Sequence, residues 1–415
     1  MSGPALPRRA SRVLLTALLA AGWLTPWGVG RAAGKAAPPF AFQVREVTQV
    51  AQLIGVTPAS PLAGVVPAAN SINDTIKWGV CGGDLGSLIY LKGTAYLTLG
   101  DNYTSCPPGT GGPGGGLTPP DWRSNAMGII PNPTNFQHGL RITRWYSHDG
   151  KYAAEVIPSA HNAGDCQNSQ QPGCEVTVIP TYGFAGQGHL FLAYMSIHHW
   201  GDASQWQVNY SSFAVSADSG RTWSNARNQV RWGATSNFAQ VAVAPDPAGS
   251  HLLFYGIPGG RFGSVKLMRV ANAWSSVLEK QAYQYFTGTD GHGQPGWSPD
   301  EARAAVVAGA PVGELSVIYD PGLRQWLMTY LEGGNDQVTP ASDDLVIRSA
   351  PHYWGPWSVP ETLVPHTRFP GLYGAFMEPH FLDNGGRDLY FVMSLWQPYA
   401  VFWMRATLES RPGAG

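Results

Sequence analysis

Two aspartates, Asp84 and Asp101, flank a stretch that reads as a tight hairpin. Leu88 to Leu91 and Thr94 to Leu99 are apolar, and Lys92-Gly93 lies between them. A two-residue turn sets which residues face each other across the ladder, and Asp84 then falls opposite Asp101. Opposed residues hold their Cβ atoms about 4.5–5.5 Å apart. Like charges that close repel, so one carboxyl keeps its proton to higher pH than the other. Cleavage of a glycosidic bond wants that division: one acid to protonate the leaving oxygen, one carboxylate as base or nucleophile. A third acid has the same setting. Gly83-Asp84-Leu85 opens the strand with Ser87-Leu88-Ile89-Tyr90, and Gly313-Glu314-Leu315 opens one with Ser316-Val317-Ile318-Tyr319. The plain reading of these acids is turn and strand-end chemistry, and a bulge would turn one of the pair away. A lone strand-edge glutamate is usually solvated.

Sugars offer apolar C–H faces and many hydroxyls, so their sites combine aromatic platforms with amides and guanidinium groups. The candidates for such contacts are Trp122, Arg123, Asn125, Arg261, Trp297, Tyr373 and Trp396, with Trp200 beside them. Arg261 stands out between the glycines of Gly259-Gly260-Arg261-Phe262-Gly263. For any single Trp in a β-rich chain, packing is the commoner role. Other chemistries lack their signatures. Gly114-Gly115-Gly116 has no Gly-Lys-Ser/Thr ending for a phosphate loop, and His198-His199 lacks zinc-helix spacing. No Gly-x-Ser-x-Gly elbow is present. The reading needs no metal and no cofactor.

The elements that must position these residues are strands. Apolar or alternating runs bounded by turn residues recur at His189 to Ile197, Trp206 to Val215, His251 to Gly256, Val265 to Val270, Gln325 to Leu331, Asp388 to Leu395 and Tyr399 to Leu408. Helical patterning is confined to Arg45 to Leu53 and Asp300 to Ala308. The chain is expected to be all-β: a barrel, sandwich or propeller. Ser216-Ala217-Asp218-Ser219-Gly220-Arg221-Thr222-Trp223 matches the Asp-box, a turn in which Asp caps backbone amides and Gly supplies positive φ. Such boxes sit on blade hairpins of sialidase-like propellers, so the motif favours a propeller. Weaker echoes lie at Ser147-His148-Asp149-Gly150 and from Ser349 to Trp357.

Composition excludes several classes. The 415 residues carry 26 Lys+Arg against 27 Asp+Glu, with 16 Trp, 17 Tyr and 15 Phe. So aromatic and so nearly neutral a chain is neither disordered nor a nucleic-acid binder. Arg8, Arg9 and Arg12 precede an apolar run from Val13 to Leu24, followed by small residues Gly30 and Ala32. That order reads as a secretory signal within residues 1–36, too short to span a membrane. The expected product is secreted to the cell envelope, monomeric and without a transmembrane segment. Its parts are a segment 37–70 packing on the propeller, the propeller at 71–410 and a disordered tail at 411–415. Four cysteines in an exported chain favour disulfides. Of the three connectivities, the sequence-local one pairs Cys81 with Cys106 and Cys166 with Cys174.

The motifs also come in a telling order: Ser71-Ile72-Asn73-Asp74-Thr75, Gly83-Asp84-Leu85-Gly86, Leu99-Gly100-Asp101, Trp122-Arg123-Ser124-Asn125, the Asp-box, Pro258 to Gly263, Gly313 to Val317, Pro370 to Met377 and Met393-Ser394-Leu395-Trp396. Together they resemble the bacterial family once filed as domain of unknown function 4185, now glycoside hydrolase family 183. The resemblance spans Ser71 to Leu408. It implies a five-bladed β-propeller acting as an endo-D-arabinofuranase on the D-arabinan of mycobacterial arabinogalactan and lipoarabinomannan. It also implies that the family's paired aspartates fall on Asp84 and Asp101; beside them Glu314 is expected to assist, or to serve as proton donor if the design follows three-carboxylate arabinanase propellers. Two rivals stand beside it: a non-catalytic carbohydrate-binding propeller, and a sialidase-like hydrolase built on Arg123, Arg261, Arg368 and Tyr373.

Overall fold

The computed structural model describes residues 37–55, 72–104, 122–162, 166, 173–201, 205–332, 343–369, 371–396 and 399–411. The expected export signal, Cys106 and the extreme C-terminus lie outside the described residues.

The first hairpin shows how the chain builds its sheets. Lys92 and Gly93 take positive φ of 48° and 81°, the turn whose twist matches that of paired strands. Strand Ser87–Leu91 then pairs with Thr94–Leu99 in the expected register, Ser87 against Thr98 and Leu91 against Thr94. Ala126–Pro131 and Arg144–Trp145 complete a four-stranded sheet. The second sheet runs Thr177–Gly186, His189–His199, Gln207–Ser216, Ser224–Asn225. The third begins Gln240–Pro245, His251–Ile257, Gly263–Ala271. The fourth is Leu315–Asp320, Gln325–Leu331, Leu345–Ala350, Glu361–Val364. The fifth is Leu372–Asp383, Asp388–Leu395, Ala400–Ser410, and its outer strand is the N-terminal Phe42–Ile54. A small sixth sheet joins Gly82–Gly83, Asn102–Tyr103 and Trp122–Arg123.

The chain is all-β, as expected. The opening strand of each large sheet packs on that of the next, and Leu372–Asp383 packs back on Ser87–Leu91. Because sheets lie against sheets, second strands are buried on both faces, and Gln325–Leu331 reads as an apolar run instead of an alternation. The stacked rings of Phe184 and Phe191, 4.9 Å apart, meet Phe254 of the third sheet edge-on. Burial of such a ring contributes roughly 1.5–3 kcal/mol.

Both helical expectations are corrected. Arg45 to Leu53 lies within strand Phe42–Ile54, whose pairing with Ala400–Ser410 slips at three places. Each slip inserts a residue and breaks the period of two, so the apolar positions drift toward helical spacing. At Asp300 the side chain caps Ala302 N–H, but only one 3-10 turn, Glu301–Arg303, follows before strand Val306–Val312.

The Asp-box forms as expected. Asp218 Oδ1 accepts from Arg221 and Thr222 N–H at 3.0 and 2.9 Å. Its echo at Asp149 is the same device, accepting from Lys151 and Tyr152 N–H at 2.7 and 3.0 Å. Cys166 and Cys174 form a disulfide, and Cys81 is also disulfide-bonded. Among the described residues no helix is long and apolar enough to cross a membrane.

Candidate functional site

The acid pair occupies a break between two ladders of one register. Gly83 pairs with Asn102 on one side and Ser87 with Thr98 on the other. Between them Leu85 and Gly86 take positive φ of 58° and 130°. A Cβ on Gly86 would lie 2.5 Å from Val392 Cγ1, so glycine is required for the strand to turn there. Asp84 N–H still donates to Asp101 O at 3.3 Å, and Gly100 N–H donates to Asp84 O at 3.2 Å.

Both carboxyls line one cavity, with Glu314, Arg261, Tyr373, Trp200, Trp206, Thr181 and Gln240. Asp84 and Asp101 are only 7% and 1% exposed. Their partners differ. Asp101 Oδ1 accepts from Trp122 Nε1 at 2.8 Å and from Thr177 Oγ1 at 2.9 Å. Asp84 Oδ2 accepts from the Tyr399 hydroxyl at 3.0 Å, while its Oδ1 is buried with no partner. Burial raises both pKa values above the ordinary aspartate range, and the charge of Asp101 lifts Asp84 further. The donors on Asp101 favour its ionised form. Of the two, Asp84 is therefore the acid that holds its proton to higher pH.

Glu314 is held differently. Arg261 Nε donates to its Oε1 and Oε2 at 2.7 and 2.9 Å, and Nη2 reaches Oε1 at 2.7 Å. The guanidinium lies 4.5 Å from the Tyr373 ring centroid and 5.0 Å from that of Trp206. A fork this complete occupies the Glu314 carboxylate. Arg261 takes φ of 58° and Tyr399 65°, so several strained non-glycine backbones cluster around the pair.

Of the remaining expected contacts, Tyr373 lines the cavity. Trp122 and Trp396 pack half-buried on the Tyr103, Tyr373 and Tyr399 rings beside it. Three do not line this cavity. Asn125 is fully buried, its amide spent on Ile157 O, Val178 O and the N–H groups of Val156 and Ile157. Arg123 is buried and ties Asn102 Oδ1, Thr104 Oγ1 and Gly79 O together. Trp297 sits on an outer strand of the third sheet against Phe286, with Arg269 4.0 Å from its ring centroid. The arginine set of a sialidase is not assembled: the cavity's arginine is Arg261, and exposed Arg368 bonds Val47 O.

Sequence reasoning missed Thr177, Tyr399, Thr181, Gln240 and Trp206. Thr177 and Gln240 open the first strands of their sheets, the position that also carries Asp84 and Glu314, so a strand-start rule would have found them. Three possible metal donors come together at Cys166, Cys174 and His198, but those two sulfurs form the disulfide.

A buried carboxylate pair in an aromatic-walled cavity of an all-β chain defines the class of protein. Within it the chain belongs to the family described as domain of unknown function 4185, which it matches over residues 70–405. No functionally curated protein matches the sequence. Among solved structures, the chain is similar to a Bacteroides ovatus protein provisionally assigned as a hydrolase. That match has a TM-score of 0.50 at 13% identity, over 80% of this chain and 86% of the other. An exo-β-1,3-galactanase from Phanerochaete chrysosporium matches with a TM-score of 0.48 at 9% identity, over 89% and 68%. An arabinanase from Bacillus subtilis matches with a TM-score of 0.38 at 11% identity, over 77% and 92%.

Proposed function

We propose that this chain is an exported endo-acting glycoside hydrolase of glycoside hydrolase family 183 that cleaves α-D-arabinofuranosyl linkages of D-arabinan in the cell envelope. The observation that carries this reading is the unequal bonding of Asp84 and Asp101. Asp84 protonates the leaving glycosidic oxygen while Asp101 attacks the anomeric carbon, forming a glycosyl ester. Water, deprotonated by the Asp84 carboxylate, then displaces Asp101 and releases the sugar. Opposition across one ladder supports this retaining route, which needs carboxyls about 5–5.5 Å apart. Arg261 and Glu314 position the cavity wall.

Further support comes from the lining. Asp84 Oδ1, Thr181 Oγ1, Gln240 Oε1 and Trp200 Nε1 are buried with no partner among the described residues. A mixed set of donors and acceptors beside Trp and Tyr rings suits a hydroxyl-rich ligand with apolar faces. Five sheets whose first strands touch in cyclic order support a five-bladed β-propeller. The Cys166–Cys174 disulfide supports an oxidising compartment. The resemblance set out above supplies the arabinan and the endo action.

The test is product release from D-arabinan by the native chain, Asp84→Asn and Asp101→Asn. Loss of release in both variants is expected. Native protein that binds arabinan but releases nothing would leave a sugar-binding propeller instead.

A further inference from the structure

Asp101 is joined to a second ionisable pair that the hydrolytic scheme does not use. The Trp122 indole that donates to Asp101 packs edge-to-face on the His161 imidazole, with centroids 4.6 Å apart at 77°. His161 Nε2 bonds Glu155 Oε1 at 2.6 Å. Glu155 is anchored in turn by Ser124 N–H at 2.7 Å and Ser159 N–H at 3.3 Å. Ser124 follows strand Trp122–Arg123 directly, so the group that fixes His161 is tied to the strand that carries the indole.

His161 has the marks of a residue held for a purpose. Its backbone takes φ of 44°, a costly conformation outside glycine. Its side chain is only 11% exposed, and Nδ1 is buried without a partner among the described residues. Packing alone would be served as well by an apolar ring.

We propose that His161, anchored by Glu155, is a positioning residue that holds the Trp122 indole in its hydrogen bond to Asp101. The proposal deepens the hydrolase reading and rests on it for its catalytic consequence.

The charges around both ends agree in sign. Burial opposes a charge on His161, but the hydrogen bond and charge of Glu155 raise its pKa above the usual histidine value, with Asp101 and Glu175 adding to that. A His161 cation lowers the Asp101 pKa, while Glu155 raises it. Asp101 also faces Asp84, Tyr103 and Tyr399. Replacing His161 by a neutral residue leaves Glu155 acting on Asp101 without its cation.

The experiment follows the Trp122 indole ¹⁵N–¹H resonance of the full chain against pH, assigned with Trp122→Phe. The indole is bonded to Asp101, so it reports that ionisation whether or not a sugar is cleaved. In His161→Gln the midpoint should rise by on the order of one pH unit, a tenfold change in ionisation ratio. The acidic limb of kcat/KM should move with it. A folded His161→Gln chain whose indole midpoint stays in place overturns the proposal. If that variant does not fold, Glu155→Gln decides: the His161 imidazole midpoint should fall toward its ordinary value, and an unmoved midpoint overturns the proposal. A shifted indole midpoint in a chain that releases no sugar upholds the positioning role and sinks the hydrolase reading.

Discussion

Asp84 and Asp101 are bound to each other through their backbones, Asp84 N–H to Asp101 O at 3.3 Å, at the point where the first hairpin's ladder is interrupted. The bond keeps the two residues in register. The interruption, made by Leu85 and Gly86, frees both side chains to line the cavity. Their unequal donors then separate two chemically identical acids.

That separation sets the expected pH dependence. Asp101 must be ionised and Asp84 protonated, so kcat/KM should be bell-shaped. Burial raises both groups, so the acidic limb should lie above the usual aspartate pKa near 3.8. An activated aryl glycoside needs no proton donor. On it, Asp84→Asn should recover activity and lose the alkaline limb, whereas Asp101→Asn should stay inactive. Equal recovery of both variants would reverse or void the assignment.

The acid pair should also cost stability. A carboxyl whose folded pKa is raised binds its proton more tightly folded than unfolded. Stability is then fully present below the unfolded pKa and is lost as pH rises through the folded one. At neutral pH Asp84→Asn should therefore be more stable than the native chain, by about 1–2 kcal/mol. Denaturant midpoints at pH 7 check this, and an unchanged midpoint would show that the pair stores no strain.

Gly100 guards the Asp84 carboxyl. A Cβ built there lies 2.3 Å from Asp84 Oδ1, so Gly100→Ala must push the acid aside. Misplacement of a reacting group by about 1 Å costs on the order of 10²-fold in rate. We expect that loss in kcat with the fold retained by circular dichroism.

The Arg261–Glu314 pair should be non-additive. Arg261→Met leaves a buried carboxylate unpaired, which costs about 3–5 kcal/mol. Adding Glu314→Leu should restore most of that stability without restoring activity. Thermal melts of both variants read the stability, and full recovery of turnover would remove the pair from the site.

Glu378 carries no role in the scheme but should shape the pH–stability curve. Burial pushes its carboxyl up to about 8 from an ordinary 4.5. By the same sign argument, its contribution falls away as pH rises from about 4.5 to about 8. Glu378→Gln should flatten the curve in that window. An identical curve would show Glu378 to be ionised throughout.

Features made by neighbours in the chain were legible in the residues. The Lys92-Gly93 turn, the register that opposes Asp84 to Asp101, and the Asp-box at Asp218 involve short loops, where residue type and spacing leave few conformations. The echo between Gly83-Asp84-Leu85 and Gly313-Glu314-Leu315 likewise placed two acids at strand starts. The helical reading of Arg45 to Leu53 failed because bulges in Phe42–Ile54 erase the period of two, and only the partner strand shows where they fall.

What joins distant parts of the chain had no signature to read. Thr177 reaches Asp101 across 76 positions, and Tyr399 reaches Asp84 across 315. Asn125 and Arg123 looked equally available to a sugar, yet the fold spends them on backbone and neighbouring side chains. Amino-acid type and local spacing determined which groups could titrate and which strands would carry them. Packing of one sheet on another decided which acid takes two donors and which takes one, because desolvation and hydrogen bonding belong to surroundings that exist only once the chain has closed.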